Sequence, residues 1–143
     1  MPERTRTRRQ RLEVQAVNPA DGKLLSVQVS HAKLQAVSGR SLGQVLEAAY
    51  TVPEVLQRPL AVFKGLRREA DDPPHGENWL CYCGRPTRAY QADGSHRAPW
   101  PDEVFLVFVS DELIVYNWYW VEADPQDANL PLDHAVRFKE RLL

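Results

Sequence analysis

The 143-residue sequence has few of the features that usually indicate a function. Its two cysteines are too few for a disulfide framework, and its longest apolar run, residues 104–109, is far shorter than the ~18 residues of a membrane span. The sequence lacks a P-loop, a dinucleotide-binding glycine motif, a nucleophile elbow and a zincin motif. We therefore expect a reduced, cytoplasmic protein without a signal peptide, a membrane segment or a cofactor.

The sequence also lacks an overall excess of charge, because its formal net charge is only −1. That sum hides a strong asymmetry along the chain. Residues 1–11 carry five arginines and one glutamate, whereas residues 101–133 carry eight carboxylates and no lysine or arginine. The pattern predicts a flexible basic arm over residues 1–11 and a single domain over residues 12–143. The arm either increases solubility or docks on the chain itself, and contact with nucleic acid is the alternative.

The order of the periodic segments predicts the fold. Apolar–polar alternation predicts a hairpin of residues 12–17 and 24–29. Ser30 and Ser41 are predicted N-caps of two helices, over residues 31–37 and 42–50. Later segments rich in β-branched and aromatic residues predict strands at 79–83, 87–90, 104–109 and 113–121, and either a strand or an extended lead-in at 60–66. Residues 104–109 are apolar on both faces, which predicts a central strand covered on both sides, and residues 92–102 are predicted as a loop. A last helix is predicted over residues 134–143. We therefore expect an α+β domain: a short N-terminal β-hairpin, then an antiparallel β-meander sheet with helices packed mainly on one face.

Cys81 and Cys83 form the first candidate constellation. Residues two apart on a strand point to the same face, so with His75 and His96 they could make a four-ligand zinc set. Their spacing differs from that of the usual zinc knuckle, and free cysteines are more often buried apolar residues. We predict no metal site and keep zinc binding as an alternative.

The strand over residues 113–121 carries the second constellation. Strict alternation places Tyr116, Trp118 and Trp120 on one face, where the rings either stack on nucleic-acid bases or pack in the core under a helix. Asn117 is the single polar residue of this strand. A buried asparagine needs partners, so Asn117 either bonds neighbouring backbone or points into a cleft.

A third constellation combines cations and aromatic residues. If the predicted strands are neighbours, Lys64, Arg67, Arg68, Arg85 and Arg88 gather near one end of the sheet, with Tyr90 close by. Such a patch is typical of phosphate and base contacts, although a solvated, ion-paired surface is the alternative. The candidate ligand-binding residues are Arg68, Arg88, Tyr90, Tyr116, Asn117 and Trp118.

The segments Pro53–Pro59 and Phe63–Leu66, followed by a short strand and a long apolar hairpin, carry a resemblance in layout. Over residues 29–122 the chain resembles the small bacterial endoribonuclease toxins, the grouping that joins barnase, colicins E5 and D and RelE-like proteins. The resemblance implies a helix followed by a four-stranded antiparallel meander, with RNA cleavage that needs no metal. It also implies acid–base and phosphate-binding roles for His31, Lys64, Arg67 and Arg85, of which the histidine is suited to proton transfer near neutral pH.

The sequence as a whole favours a small, non-catalytic binding or regulatory module, with RNA or a protein as partner. The first alternative is a metal-independent, toxin-like RNA-cleaving domain. The second is a zinc protein that uses Cys81 and Cys83. The sequence gives no indication of the oligomeric state.

Overall fold

The computed structural model describes residues 12–66, 79–122 and 137–142, so the predicted basic arm lies outside the described residues. The predicted N-terminal hairpin is confirmed, because β1 (Leu12–Val17) pairs antiparallel with β2 (Leu24–Val29). The turn between them is closed by Asn18, whose amide donates to the Lys23 carbonyl at 2.7 Å. Gly22 has a φ of 74° in this turn, a conformation that glycine adopts without steric cost.

Both predicted N-caps are confirmed. Helix α1 (His31–Ser38) follows Ser30, whose hydroxyl accepts a hydrogen bond from the Lys33 amide. Helix α2 (Leu42–Leu46) follows Ser41, whose hydroxyl accepts from the Gln44 amide. Each cap satisfies a backbone donor that the first turn of a helix leaves without a partner.

The chain does not leave the helix near Tyr50, where the sequence predicts its end. Helix α2 continues into a π-helical turn (Glu47–Thr51) and then into helix α3 (Val52–Gln57). The Val52 amide donates to the Glu47 carbonyl, one residue further back than in an α-helix. Proline has no N–H and clashes with the carbonyl four residues before it, so a locally wider turn just ahead of Pro53 lets the helix continue.

The other sheet strands are β3 (Ala61–Leu66), β4 (Leu80–Gly84), β7 (Glu103–Val109), β8 (Ile114–Glu122) and β9 (Arg137–Arg141), and a separate two-stranded ribbon consists of β5 (Ala89–Tyr90) and β6 (His96–Arg97). Within the described residues the sheet has seven strands, in the order β1-β2-β8-β7-β4-β3-β9. The α+β class is confirmed, but the sheet is mixed rather than antiparallel throughout. Strands β2 and β8 run parallel, since the hairpin reaches the rest of the sheet through the helical segment and not through a tight turn.

The sheet is strongly curled. The Tyr82 hydroxyl on β4 donates to the Val17 carbonyl on β1 at 2.7 Å, although three strands separate β4 from β1 in the sheet order. Helix α3 fills the space inside the curl, where it packs against β1, β4 and β7. Burial raises the pKa of Tyr82 to about 12, so the phenol remains a donor at neutral pH.

Apolar residues cover both faces of the central strands. On the helix-bearing face Phe105 and Val107 of β7 join the buried residues of α3, and on the other face Leu106 and Phe108 pack with β3 and β4. The prediction that residues 104–109 form a central strand buried on both faces is confirmed, because each of them is at most 4% exposed.

Two predicted elements differ from the structure. Residues 137–141, which the sequence pattern places in a terminal helix, form strand β9 and pair antiparallel with β3. The unpaired backbone edge of β3 offers hydrogen bonds that override a weak helical pattern. The predicted loop over residues 92–102 contains β6, which pairs with β5. No helix among the described residues is long and apolar enough to cross a membrane.

Candidate functional site

Helix α1 is fixed to strand β8 where the helix begins. The Ser30 amide donates to the Val115 carbonyl at 2.8 Å, while the Ser30 hydroxyl caps the first turn through the Lys33 amide. One residue thus joins the helix start to the sheet. This anchor holds the Lys33 side chain over the middle of β8.

Five side chains form a polar cluster between the helices and β8. We call Lys33, Glu47, Asn117, Trp118 and Trp120 the Lys33–Glu47 cluster. The Lys33 ammonium donates to the Asn117 side-chain carbonyl at 2.9 Å and lies 5.1 Å from the centre of the Trp118 ring. The Trp120 indole donates to the Glu47 carboxylate at 2.9 Å. The cluster therefore brings an ammonium and a carboxylate into a largely aromatic setting, where such charges interact more strongly than in water.

Two backbone irregularities place the cluster. Glu47 begins the π-helical turn. On β8 the register shifts so that Asn117 pairs with Phe108 while Val115 pairs with Val109, which leaves Tyr116 as the extra residue of a β-bulge. π-Helical turns and β-bulges both occur preferentially at functional sites, where they redirect side chains. Their convergence on one cluster distinguishes this part of the fold.

Burial shifts the pKa of both ionisable groups toward the neutral form. Desolvation raises the pKa of Glu47, against the opposing effects of its hydrogen bond from Trp120 and the charge of Lys33. Desolvation also lowers the pKa of Lys33, with a further lowering from the charge of Arg40 and an opposing effect from Glu47. Shifted groups of this kind concentrate in functional sites, although buried structural networks also produce them.

The raised pKa of Glu47 predicts a pH dependence of stability. The folded state holds the Glu47 proton to a higher pH than the unfolded chain does, so the stabilisation is complete below the ordinary value of 4.5 and is lost as the pH rises through the raised pKa. The substitution Glu47→Gln keeps an acceptor for the Trp120 indole but removes the titration. We expect the free energy of unfolding of this variant, measured by urea denaturation from pH 4 to pH 8, to fall less with rising pH than that of the wild type.

Glu13→Gln is the matched control for this prediction. Glu13 is exposed on β1, in the pair opposite Gln28 and away from the cluster. We expect the Glu13→Gln variant to follow the wild-type pH profile. Parallel profiles for Glu47→Gln and the wild type would show that Glu47 contributes no pH dependence.

An apolar groove lies between the same two helical segments as the cluster. Its cavity measures about 420 Å³. It is lined by residues of β1, α1, α2 and the π-helical turn: Leu12, His31, Leu34, Gln35, Val37, Val45, Ala48 and Ala49. Most of this lining is apolar, while His31 and Gln35 contribute polar atoms from successive turns of α1. A cavity of this size and composition falls within the range of small-molecule sites.

Comparison of the chain with protein-family models, curated proteins and solved structures gives no match. The resemblance to endoribonuclease toxins therefore remains a prediction. The function proposed below is therefore inferred from the geometry and chemistry of the site itself.

Of the four predicted catalytic residues, the three that the structure describes, His31, Lys64 and Arg85, do not lie at one place. His31 lines the groove, on the helix that follows β2. Lys64 on β3 pairs with Leu80 at the start of β4, whereas Arg85 follows the end of β4. Leu80, the partner of Lys64, is five residues before Arg85, so the positions of Lys64 and Arg85 are about 16 Å apart along the direction of β4. Arg67 lies outside the described residues.

The predicted shared face of Tyr116, Trp118 and Trp120 is wrong. The β-bulge reverses the alternation, so Trp118 and Trp120 join the helix-side core while Tyr116 lies on the other face, 6.1 Å from the Phe108 ring. Trp118 is 5% exposed and Lys33 covers its ring, so it cannot stack on a base in this conformation. Asn117 bonds neighbouring backbone, which is one of its two predicted alternatives, because its side-chain carbonyl accepts from the Trp118 amide. The same oxygen accepts from Lys33, a contact that the sequence does not predict.

The predicted cationic patch is divided between two places. Lys64 on β3 lies beside the start of β4 and Arg85 follows the end of β4, while Arg67 and Arg68 lie outside the described residues. Arg88 is exposed just before the ribbon, whose strand β5 contains Tyr90. The part of the patch formed by Arg88 and Tyr90 thus lies on the ribbon rather than on the main sheet.

Sequence reasoning missed Lys33 and Glu47. Both lie on helices with ordinary polar patterns, and Lys33 is 84 residues from the asparagine that it binds. The available signal was indirect: Asn117 required a partner, and Pro53 inside a helical pattern pointed to an irregular turn just before it. Neither signal identifies which charged residue completes the cluster.

The two cysteines share one face of β4, as predicted, and both are fully buried. Their sulfur atoms are 4.0 Å apart, and burial raises the pKa of the Cys81 thiol, with Cys83 adding to the shift. No group of three or more metal-binding side chains occurs within residues 12–66, 79–122 and 137–142. His75, a predicted zinc ligand, lies outside that part of the chain, and His96 lies on the ribbon.

Proposed function

We propose that this protein is a small, non-catalytic binding module and that the apolar groove beside α1 is its ligand site. The observation that carries the proposal is the open groove of about 420 Å³, lined by β1, α1 and the helical segment that contains the π-helical turn. Sites for small organic ligands are concave, mostly apolar and supplied with a few polar groups, and such cavities usually measure about 300–1,000 Å³.

The lining of the groove indicates the kind of ligand. Leu34, Val37 and Val45 present aliphatic surface, which favours a ring system or a branched alkyl group. His31 and Gln35 add polar atoms along α1, and these groups would fix the orientation of one polar substituent. The proposed ligand is therefore a small molecule with an apolar body and a single polar or anionic group.

Binding is better supported than RNA cleavage. Cleavage requires an acid, a base and phosphate contacts within reach of one scissile bond. His31, Lys64 and Arg85 lie on separate elements, and Lys64 and Arg85 are at opposite ends of one strand pair. The groove, by contrast, is formed entirely by residues that already lie side by side.

The groove is tested by filling it. Ala49 lines the groove, and Ala49→Phe places a ring in the space that the ligand would occupy. The probe is 8-anilinonaphthalene-1-sulfonate, whose aromatic body and single sulfonate match the proposed ligand chemistry. We expect the wild type to bind about one probe per chain, with increased fluorescence, and Ala49→Phe to bind about tenfold more weakly or not at all, because one buried ring accounts for at least that factor.

Ala32→Phe is the matched control, since Ala32 is exposed on α1 and does not line the groove. We expect Ala32→Phe to bind the probe as the wild type does. Circular dichroism and thermal unfolding would confirm that both variants are folded, because partly unfolded chains also bind this dye. Equal affinity for the wild type and a folded Ala49→Phe variant would reject the groove as the site.

A further inference from the structure

Exposed rings lie side by side on the two-stranded ribbon, outside the groove. We define the ribbon platform as Tyr50, Arg88, Tyr90 and His96. Tyr90 and His96 are directly paired across β5 and β6, with their rings 5.9 Å apart and nearly perpendicular. The Tyr50 ring lies 6.4 Å from that of Tyr90 and is 59% exposed. Three rings thus form a continuous surface, and one of them is open to solvent over most of its area.

The platform is held rigidly. The Gly43 amide donates to the Ala92 carbonyl, and a Cβ at Gly43 would lie 2.0 Å from the Gln91 carbonyl oxygen, so the ribbon turn touches the backbone of α2 directly. The Glu54 carboxylate accepts from the Thr87 amide at 3.0 Å and fixes the chain before the ribbon. Rings on such a support lose little conformational freedom when a ligand stacks on them.

The charge beside the rings is positive. Residues 85–97 contain three arginines and one carboxylate. Arg97 is paired with Glu103 at 2.9 Å, and Arg85 donates to the Pro101 carbonyl. Arg88 is exposed, and because Ala89 between Arg88 and Tyr90 is buried, strand alternation puts Arg88 on the same outer face as Tyr90. The platform therefore combines stacking surfaces with a cation that can contact a phosphate.

We propose that the ribbon platform binds single-stranded nucleic acid. Bases stack on the rings of Tyr50 and His96, and Arg88 contacts the phosphate backbone. Aromatic side chains beside cations are the general means of binding unpaired strands, because every base presents a ring face. The bases of a duplex are already stacked on each other and cannot reach the rings, so a duplex should bind only through its charge.

This proposal is independent of the small-molecule groove. The groove is lined by Ala48 and Ala49 among others, whereas the platform is formed by Tyr50 and the ribbon. The groove is tested with an organic dye and the platform with oligonucleotides. Failure of either proposal therefore leaves the other standing.

The decisive experiment measures fluorescence anisotropy of a labelled 12-nucleotide oligouridine with the full-length chain at low salt. We expect Tyr50→Ala to weaken binding about 5- to 150-fold, the factor that corresponds to the loss of one stacked base, and Tyr50→Phe to retain wild-type affinity. Trp100→Ala is the matched control, because Trp100 is equally exposed, at 61%, but its ring lies against Arg97, which strand alternation puts on the opposite face of β6 from His96. We expect this control to bind as the wild type does.

Salt dependence tests the phosphate contact. Removal of one such contact lowers the slope of log affinity against log salt by about 0.7 for a single strand, and we expect this change for Arg88→Ala. Lys23→Ala, an exposed cation in the N-terminal hairpin, should keep the wild-type slope. The proposal is overturned if the wild type does not bind the oligonucleotide. It is also overturned if Tyr50→Ala binds as the wild type does while deletion of residues 2–11 abolishes binding, since the basic arm alone would then hold the strand.

Discussion

The substitution Leu56→Ala is expected to lower the free energy of unfolding by about 2–5 kcal/mol, the usual cost of removing a fully buried leucine side chain. Leu56 lies on α3 and has no exposed surface. Helix α3 packs against β1, β4 and β7, which come together only because the sheet curls. The truncation therefore leaves a cavity at the point where several strands meet, and these strands cannot all move inward to fill it. Urea denaturation followed by tryptophan fluorescence measures the loss.

Leu60→Ala supplies the control with identical chemistry only four positions away. Leu60 is 48% exposed and precedes β3. Because about half of its surface stays in contact with water after folding, we expect a loss of about 1 kcal/mol or less. Similar losses for the two variants would mean that α3 does not fill the interior of the curled sheet.

The parts of the fold that could be predicted are those set by neighbouring residues. The N-terminal hairpin follows from alternation on both sides of a turn, and its observed bounds, Leu12–Val17 and Leu24–Val29, are those predicted. Ser30 and Ser41 cap helices because a hydroxyl at that position can reach an amide three residues on. These interactions need no information from distant parts of the chain.

The parts that could not be predicted depend on distant partners. Residues 137–141 form a strand because β3 presents a free edge to them, and nothing within that segment indicates the edge. The parallel pairing of β2 with β8 joins segments more than eighty residues apart, for example Gln28 with Ile114. Register between such strands is decided by the whole sheet, so a local pattern leaves it open.

In the candidate site, too, local sequence identifies some residues, while others depend on distant parts of the fold. Asn117 was recognisable, because a polar residue inside an apolar strand requires a partner. The face on which it lies was not recognisable, since one extra residue in the β-bulge exchanges the two faces of β8. Lys33 and Glu47 became candidates only when the fold had brought α1 and the π-helical turn over that strand.

Gly43→Ala should be strongly destabilising, although the same change in a helix normally adds about 1 kcal/mol of stability. A Cβ at this position would lie 2.0 Å from the Gln91 carbonyl oxygen and 2.6 Å from its carbonyl carbon. Both are backbone atoms, so no side-chain rotation relieves the contact, and the ribbon must separate from α2. We expect the free energy of unfolding to fall by about 1–3 kcal/mol, as in other overpacked sites, with faster amide hydrogen exchange in the ribbon turn.

Gly39→Ala is the matched control, because the φ of Gly39 is −93° and an added Cβ there meets no atom within 4 Å. We expect the free energy of unfolding of the Gly39→Ala variant to be unchanged or slightly increased. If Gly43→Ala were equally well tolerated, the ribbon would not dock on α2 in this way.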